Sequence, residues 1–297
     1  MRNLRDIVVG MDFSQHSKSA LLAAKRLAQD PKAKLHLIHV VEDAGLQELA
    51  EGLGADLEEL RDDSLATIRG KLASLASEAG IDDAECNLVV RTGDPCKEIN
   101  GLLSDVGAGL LVLGSRGTGR TREGAGQMAI RCIRKTEAKV LLVRRGHTGA
   151  FKAVGAFVDF SKRSESAAQQ AAYVARADGA KLHLFHVYLP PWRVVHYGSP
   201  TPTYTSEDKE RHREKIIDKM RKISELFGKE CRGTEVEYSL IESSEKIIGI
   251  DEFIEGTGVD LVVIRTRPRT GLRAVLLRTI AEHIIRTSPC SVLAVKS

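Results

Sequence analysis

The sequence predicts an α/β protein built from two tandem doubly wound domains, each with a five-stranded parallel sheet. Three observations predict this fold: a length of 297 residues, an internal repeat, and short apolar runs that alternate with helical patterns. The length is about twice the ~150 residues that suit one α/β domain. Hydrophobic residues make up 42% of the chain and charged residues 28%, a balance that is typical of folded globular proteins.

The repeat consists of short segments that recur at a nearly constant offset. The clearest pairs are 11–14 (MDFS) with 158–161 (VDFS), and 34–40 (KLHLIHV) with 181–187 (KLHLFHV). Both pairs are 147 positions apart, and later segments match at 151 and 152, so the insertions between the copies are short. The sequence therefore predicts domains at 1–146 and 151–297. The basic, glycine-containing segment 144–150 joins them.

Each copy contains five apolar runs of strand length. They fall at 7–12, 34–41, 86–91, 109–114 and 139–144, and again at 154–159, 181–187, 236–241, 261–265 and 291–296. These runs are apolar on both faces, as are strands of a parallel sheet that is covered on both sides. Helical patterns separate the first five, at 17–29, 58–79, 95–105 and 127–136. This alternation predicts a doubly wound sheet with right-handed crossovers.

Polar residues follow the first strand of the first copy, where such sheets bind ligands. Asp12 has two readings that the sequence leaves open. It is either a turn or helix-capping residue, or a carboxylate that accepts hydrogen bonds from a ligand. Ser14 is a second candidate for the cap, which would leave Asp12 available. Val40 ends the second strand and offers backbone groups to the edge of a ligand ring.

A glycine-rich loop, GSRGTGR at 114–120, follows the fourth strand. Glycines let backbone N–H groups approach an anion, and the next helix would add a favourable dipole near Gly126 and Gln127. Arg120 and Arg122 are available to supply positive charge. The loop therefore indicates an anion site, although surface loops also use glycine simply to turn.

These segments resemble the universal stress protein family, with two of its domains in tandem. The resemblance is carried by IVVGMDFSQHSKSAL, LHLIHVV, RTGDPCKEI, LLVLGSRG and IAEHIIRTSPCSVLAVK. It implies a Rossmann-like fold of the adenine nucleotide alpha hydrolase-like type. It also implies that the two domains pair through their last strands as an intrachain pseudo-dimer, from which homo-oligomers form. The implied function is a cytoplasmic stress-response regulator whose nucleotide occupancy biases its association with client proteins.

Members of this family that bind ATP carry the pattern Gly-x2-Gly-x9-Gly-Ser/Thr, and other members bind no nucleotide. Gly114 and Gly117 match the first half of the pattern. A one-residue deletion then brings Gly126 to the third glycine position and Gln127 to the hydroxyl position. The resemblance implies an ATP or AMP site, with Mg²⁺ where ATP is bound. Its residues would be Asp12, Phe13, Ser14, Val40, Gly114, Arg116, Gly117, Gly126 and Gln127.

The second copy departs from the pattern. Asp159 and Val187 are retained, but the glycine positions hold Arg265, Pro268 and Arg278. Added bulk and the missing proline N–H predict that this domain does not bind ATP in the standard way. We expect it to be structural or to serve dimerisation. The arginine-rich loop 265–278 is either a solvated, salt-bridged face or an anion site made of guanidinium groups.

Other function classes find little support in the sequence. No P-loop, nucleophile-elbow or HExxH motif is present, so we expect no catalytic residues and no enzyme activity. A net charge of +4 with 4% aromatic residues does not favour nucleic-acid binding. His36 and His39, like His183 and His186, point to opposite faces of a strand, which argues against a metal site. No apolar run approaches the ~18 residues that cross a bilayer.

Two further features have a bearing on partners and compartment. Five cysteines without a CxxC pair indicate reduced thiols in a cytosolic protein. Segment 189–205 holds four of the eight prolines and is a lid, a partner-contact segment or simply mobile. The alternative to a nucleotide-binding regulator is a nucleotide-free dimerising scaffold, which Gln127 and the shortened loop favour.

Overall fold

A computed structural model of the chain describes residues 4–28, 33–116, 126–194, 204–266 and 280–296. The first repeat contains β1 (Asp6–Gly10), α1 (Gln15–Leu27), β2 (Lys34–Val41), α2 (Asp43–Leu53), α3 (Leu57–Glu78), β3 (Cys86–Thr92), α4 (Pro95–Asp105), β4 (Leu110–Gly114), α5 (Gln127–Lys135) and β5 (Lys139–Val143). The second repeat contains β6 (Ala153–Phe157), α6 (Lys162–Asp178), β7 (Lys181–Tyr188), α7 (Pro191–Val194), α8 (Ser206–Leu226), α9 (Gly228–Cys231), β8 (Val236–Glu242), α10 (Lys246–Thr257), β9 (Leu261–Thr266), α11 (Ile280–Thr287) and β10 (Ser291–Lys296).

The strands form one sheet in the order β3-β2-β1-β4-β5-β10-β9-β6-β7-β8. Within each repeat the five strands are parallel, which confirms the doubly wound prediction. The two halves join through β5 and β10, which pair antiparallel. Leu141 faces Leu293, its own counterpart in the second repeat, so a local twofold axis passes through this pair. The pairing through the last strands is therefore confirmed.

Side chains alternate between two core layers, one on each face of the sheet. In β1, Ile7 and Val9 belong to one layer and Val8 to the other. Helices α1, α3, α6 and α8 cover the first layer, and α4, α5, α10 and α11 cover the second. Each layer runs through both repeats, because the sheet is continuous across β5 and β10. The described residues include no helix that is long and apolar enough to cross a membrane.

Polar contacts also cross the junction between the repeats. Arg134 of α5 forms an ion pair with Glu282 of α11 at 2.7 Å. The Arg144 amide donates to the Ser291 hydroxyl oxygen at 3.1 Å, and the Lys296 ammonium donates to the Ile133 carbonyl. The repeats thus share an interface as well as a sheet.

Helix α2 is an element that the sequence analysis did not predict. Its sequence, DAGLQELAEGL, contains two glycines that weaken the helical pattern. The helix forms because Leu46 and Ala50, four residues apart, bury against neighbouring structure, and Gly54 ends it with a left-handed φ of 62°. Beyond α2, Asp56 caps α3 by accepting hydrogen bonds from the amides of Glu58 and Glu59.

Candidate functional site

The carboxyl ends of β1, β2 and β4 lie side by side. Gly10 of β1 pairs with Ile38 on one side and with Leu113 on the other. Asp12 therefore lies just beyond the sheet, between the end of β2 and the end of β4. The order of strands reverses between β1 and β4, so this edge is the switch point at which doubly wound sheets bind ligands.

Asp12 takes part in the turn after β1. Oδ1 of Asp12 accepts a hydrogen bond from the Ser14 amide at 3.1 Å, which shapes the turn. Ser14 is the N-cap of α1, and its hydroxyl accepts from the Ser17 amide at 3.2 Å. Within the described residues, Oδ2 of Asp12 makes no hydrogen bond. Asp12 thus supports the turn with one oxygen and presents the other at the sheet edge.

Phe13 adopts a left-handed backbone, with φ of 62°. Its ring packs on His39 with 4.8 Å between centroids, and Nδ1 of His39 donates to the Met11 carbonyl at 2.7 Å. The second repeat repeats the arrangement: φ of 62° at Phe160, 4.5 Å to the His186 ring, and a 2.5 Å bond from His186 to the Val158 carbonyl. These histidines therefore hold the turn in place.

His36 has a separate role on the opposite face of β2. Its Nε2 lies 2.8 Å from Oδ1 of Asp6. Among the residues that the structure describes, no group of three or more histidine, cysteine, aspartate or glutamate side chains is arranged to hold a metal ion.

His16, the second residue of α1, and Ser115, in the loop after β4, contact each other, and neither was among the predicted site residues. Nδ1 of His16 and the Ser115 hydroxyl share a hydrogen bond of 3.1 Å across the switch point. Burial, together with the nearby Arg116 and Arg145, holds the pKa of His16 below its usual value. The imidazole is therefore neutral near pH 7. In the sequence, His16 only precedes the helix predicted at 17–29, so no pattern marked it.

Gly114 is required by packing. A Cβ atom at this position would lie 2.7 Å from the His16 backbone carbon and 2.8 Å from the Ser17 amide nitrogen. Both are backbone atoms of α1, which packs against the end of β4. The close approach of α1 thus accounts for this glycine without any ligand.

Gly126 contacts the loop that follows β4. Its amide donates to the Ser115 carbonyl at 3.1 Å, and it is the N-cap of α5, where no side chain caps the helix. Gln127 is exposed as the first residue of α5. Asp12, Phe13, Ser14, Val40, Gly114, Arg116, Gly126 and Gln127 thus all lie at one edge of the first-repeat sheet. Gly117, like Arg120 and Arg122, lies outside the described residues.

Asp159, the counterpart of Asp12 in the second repeat, accepts more hydrogen bonds than Asp12 does. Oδ1 of Asp159 accepts from the Ser161 amide at 3.0 Å and from the Ser161 hydroxyl at 2.5 Å. Burial alone would raise the pKa of Asp159, but these bonds, Ser164 and Lys246 together hold the pKa below its usual value. Arg265 occupies the position of Gly114, near the end of β9. Pro268 and Arg278, with most of the arginine-rich loop, lie outside the described residues.

A cavity of about 600 Å³ lies at this edge of the second repeat, and no pattern in the sequence indicated it. Asp159, Ser161 and Thr266 contribute polar groups to its lining. Apolar side chains from α5 and α11, among them Ile130 and Ile284, line it as well. The second repeat thus has a cavity that is built partly by the first.

The proline-rich segment is described only at its ends. Trp192, in α7, lies 5.8 Å from the Tyr204 ring and 5.5 Å from the His212 ring of α8. This places an aromatic cluster beyond the end of β7. Residues 195–203, on which the lid and partner-contact readings depend, lie outside the described residues.

The same doubly wound unit occurs twice in the chain, and polar groups gather where β1 and β4 end. These features define a tandem α/β protein with a candidate ligand site at the switch point of its first sheet half. The family model described as the universal stress protein family matches residues 3–144 and again residues 150–296. The chain therefore belongs to the universal stress protein family.

Individual relatives agree with this assignment. Universal stress protein G of Shigella flexneri is 30% identical over 128 residues, which cover 43% of this chain and 89% of that protein. A universal stress protein of Methanocaldococcus jannaschii is 28% identical over 167 residues, covering 52% of this chain and 87% of that protein. The crystal structure of a universal stress protein from Archaeoglobus fulgidus covers 99% of both chains with a TM-score of 0.66 at 19% identity, which shows a shared fold.

Proposed function

We propose that this chain is a cytoplasmic stress-response regulator that binds an adenine nucleotide, ATP or AMP, in its first repeat. The observation that carries the proposal is that the start of α1 and the loop after β4 meet, joined by the 3.1 Å bond between His16 and Ser115. Nucleotides bind at such switch points in doubly wound sheets. Occupancy of the site would bias association with client proteins and with further copies of the chain.

The adenosine end of the ligand fits the β1 and β2 side of the site. Oδ2 of Asp12 is a hydrogen-bond acceptor suited to ribose hydroxyl groups. Val40 is half-buried at the end of β2, where its backbone groups can meet the edge of the adenine ring. Phe13 is held beside them by its contact with His39.

The phosphate end fits the β4 and α5 side. A helix N-terminus without a side-chain cap presents amide groups and a favourable dipole to an anion, and α5 has such an N-terminus at Gly126. Gln127 can donate one further hydrogen bond. Arg116, two residues after β4, brings positive charge to the same loop, and Mg²⁺ would enter with ATP through its phosphates.

A nucleotide-free scaffold is the second candidate function, and two observations favour it. The close approach of α1 explains Gly114 without a phosphate. The β5–β10 pairing also makes one chain an intrachain dimer, which is all that a dimerising scaffold requires. In both candidates the second repeat is structural.

The test begins with nucleotide that co-purifies with the protein. The purified chain is denatured, the supernatant is assayed for adenine nucleotides, and the stripped protein is titrated with ATP and AMP by calorimetry. Asp12→Asn removes the charge but retains the oxygen that accepts from Ser14, so we expect affinity to fall about tenfold, or ~1.4 kcal/mol. Asp159→Asn is the matched control in the second repeat and should leave affinity unchanged.

The outcomes separate the two candidates. Absence of co-purified nucleotide, together with no binding at millimolar concentration, would exclude the regulator and leave the scaffold. Equal weakening by Asp159→Asn would place a site in the second repeat. A Gly117→Arg variant adds an independent check, because affinity that survives this change would move the phosphates away from the glycine-rich loop.

A further inference from the structure

The cavity of the second repeat lies between elements of both repeats. Residues of β9 and α11 line it from the second repeat, and residues of α5 line it from the first. The start of α6 contributes Ser164 and Ala167. Its volume of about 600 Å³ falls within the ~300–1,000 Å³ that is usual for ligand sites. The cavity is therefore large enough to hold a small molecule.

A difference between the repeats bears on the space at this position. In the first repeat, α1 packs so closely on the end of β4 that a Cβ atom at Gly114 would lie 2.7 Å from the His16 backbone carbon. The second repeat has Arg265 at the equivalent place, and Arg265 lines the cavity. A side chain there requires α6 to lie further from its strand than α1 does. The second repeat therefore cannot close over its sheet edge as the first repeat does.

Most of the cavity wall is apolar. Ile130 and Ile133 line it from α5, and Ile280, Ile284 and Ile285 line it from α11. Water beside such a wall finds few hydrogen-bond partners, so an apolar molecule that displaces it is favoured. The wall therefore suits a ligand with an apolar body.

The charged groups of the lining balance one another. Arg134 and Arg265 are its cations, and Asp159 and Glu282 are its anions. Arg134 already pairs with Glu282 at 2.7 Å. A ligand with a net charge would leave water for a largely apolar cavity that offers no excess of the opposite charge, which costs free energy. The lining therefore favours a molecule that is neutral overall.

Asp159 supplies a hydrogen-bond acceptor to the cavity. Its Oδ1 accepts from the amide and the hydroxyl of Ser161, at 3.0 and 2.5 Å. Burial opposes ionisation, but these bonds, with Ser164 and Lys246, hold the pKa of Asp159 below its usual value, so the group is a carboxylate near pH 7. A carboxylate accepts up to about four hydrogen bonds. Asp159 can therefore accept a further bond from a ligand.

The cavity differs in position from the nucleotide site proposed for the first repeat. In that site the adenosine end lies beside Val40, at the end of β2. Val187 is the counterpart of Val40, and it is not among the described residues that line the cavity. The cavity extends instead toward α5, on the other side of Asp159. Its shape and lining thus point to a different ligand.

We propose that this cavity binds a small neutral molecule with an apolar body and one hydrogen-bond donor. The apolar body lies between α5 and α11, and the donor bonds to the Asp159 carboxylate. Because α5 belongs to the first repeat and α11 to the second, the bound molecule stabilises the junction between them. This adds a binding role to the repeat that the nucleotide proposal treats as structural, and it does not rest on that proposal.

The experiment uses phenyl-α-naphthylamine, a neutral probe with apolar rings and one N–H group, whose fluorescence rises in apolar surroundings. It is titrated into the nucleotide-free, full-length protein, and we expect saturable binding at one site per chain. Anilinonaphthalene sulfonate has the same rings with an added sulfonate and should bind about tenfold more weakly. Saturating ATP should not displace the neutral probe.

Two variants locate the bound probe. Ala281→Trp places an indole in the cavity and should weaken binding of the neutral probe at least about tenfold. Ala66→Trp, on the exposed face of α3, is the matched control and should leave binding unchanged. Asp159→Asn removes the charge that repels the sulfonate, so the difference in affinity between the two probes should shrink.

Other results would overturn the proposal. Equal affinity for the two probes would show only general apolar surface, and unchanged binding in Ala281→Trp would place the probe elsewhere. Displacement by ATP would show that the cavity is a nucleotide site. The probe comparison and the ATP competition use the wild-type chain, so the test remains decisive if Ala281→Trp fails to fold. A chain that binds no nucleotide should still bind the probe, which separates this proposal from the nucleotide proposal.

Discussion

Arg26 and Asp178 form an ion pair that joins α1 of the first repeat to α6 of the second. The Asp178 side chain is only 1% exposed, and its second oxygen accepts from the Phe151 amide at 2.8 Å. The Arg26 guanidinium also lies 5.2 Å from the centroid of the Phe151 ring, which stacks on His147 at 4.2 Å. The segment between the repeats is thus anchored to a helix from each.

Removal of one partner of this pair should be strongly destabilising. Asp178→Ala leaves the Arg26 charge and the Phe151 amide without their acceptor, and breaking a buried pair in this way costs ~3–5 kcal/mol. Urea unfolding followed by circular dichroism measures the change. Glu207→Ala, which breaks an exposed pair with Arg211 on α8, is the control and should have almost no effect. Similar losses in both variants would contradict the buried role of Asp178.

Gly114→Ala should lower stability whether or not nucleotide is present. The added Cβ would meet the backbone of α1, and such overpacking costs about 1–3 kcal/mol. Gly70→Ala is a control of opposite sign: Gly70 lies inside α3 with open space around it, so alanine should stabilise the chain by ~0.5–1 kcal/mol. Thermal unfolding of the nucleotide-free protein distinguishes them. If Gly114→Ala left the stability unchanged, packing would not explain this glycine, and ligand binding would remain as its explanation.

Replacing Phe13 with glycine should destabilise the protein less than replacing it with alanine. Both variants lose the ring contact with His39, but glycine relieves the left-handed backbone, which costs an ordinary residue ~1–2 kcal/mol. We therefore expect Phe13→Gly to be more stable than Phe13→Ala by about that amount in urea unfolding. The same order should hold for Phe160. A reversal at both positions would show that the turn does not require this backbone.

Stability should fall as pH decreases below neutrality. Burial lowers the pKa of His147, His183 and His186, so the folded chain binds these protons only below the usual 6.5. The unfolded chain binds more protons in this window, and stability is therefore lost as pH falls from 6.5 toward the folded-state values. The urea midpoint should drop between about pH 7.5 and about pH 5.5. It should drop less in His183→Gln; a midpoint that rises would contradict the assignment.

The sequence was sufficient to predict the strands of the sheet and their parallel arrangement within each repeat. Runs such as KLHLIHV and KLHLFHV recur because both faces of each strand are buried, and buried strands leave a strong apolar signal. Helix α2 left a weaker signal, since Gly45 and Gly52 interrupt its pattern and its stability comes from packing. This helix forms because of tertiary contacts, which a local sequence pattern does not encode.

The candidate site was predictable only in part. Asp12 and Ser14 stood out because turn and capping residues follow a strand. The contact of His16 with Ser115 joins residues 99 positions apart, and Gly114 is explained by atoms of another element. Such long-range relationships depend on how α1 sits on β4. The sequence therefore predicted candidate residues for the site but could not assign the structural reason for each of them.

The antiparallel pairing of β5 and β10 has a consequence for stoichiometry. Two identical subunits meeting at such a seam would separate on dilution, whereas tethered halves keep a fixed effective concentration. Identical subunits would also carry every substitution twice, once on each side of the axis. Here Gly114 and Arg265 occupy equivalent places and differ, so the two halves carry different residues at the same position of the fold. The two halves of one sheet can therefore differ in what they bind, which two identical subunits cannot.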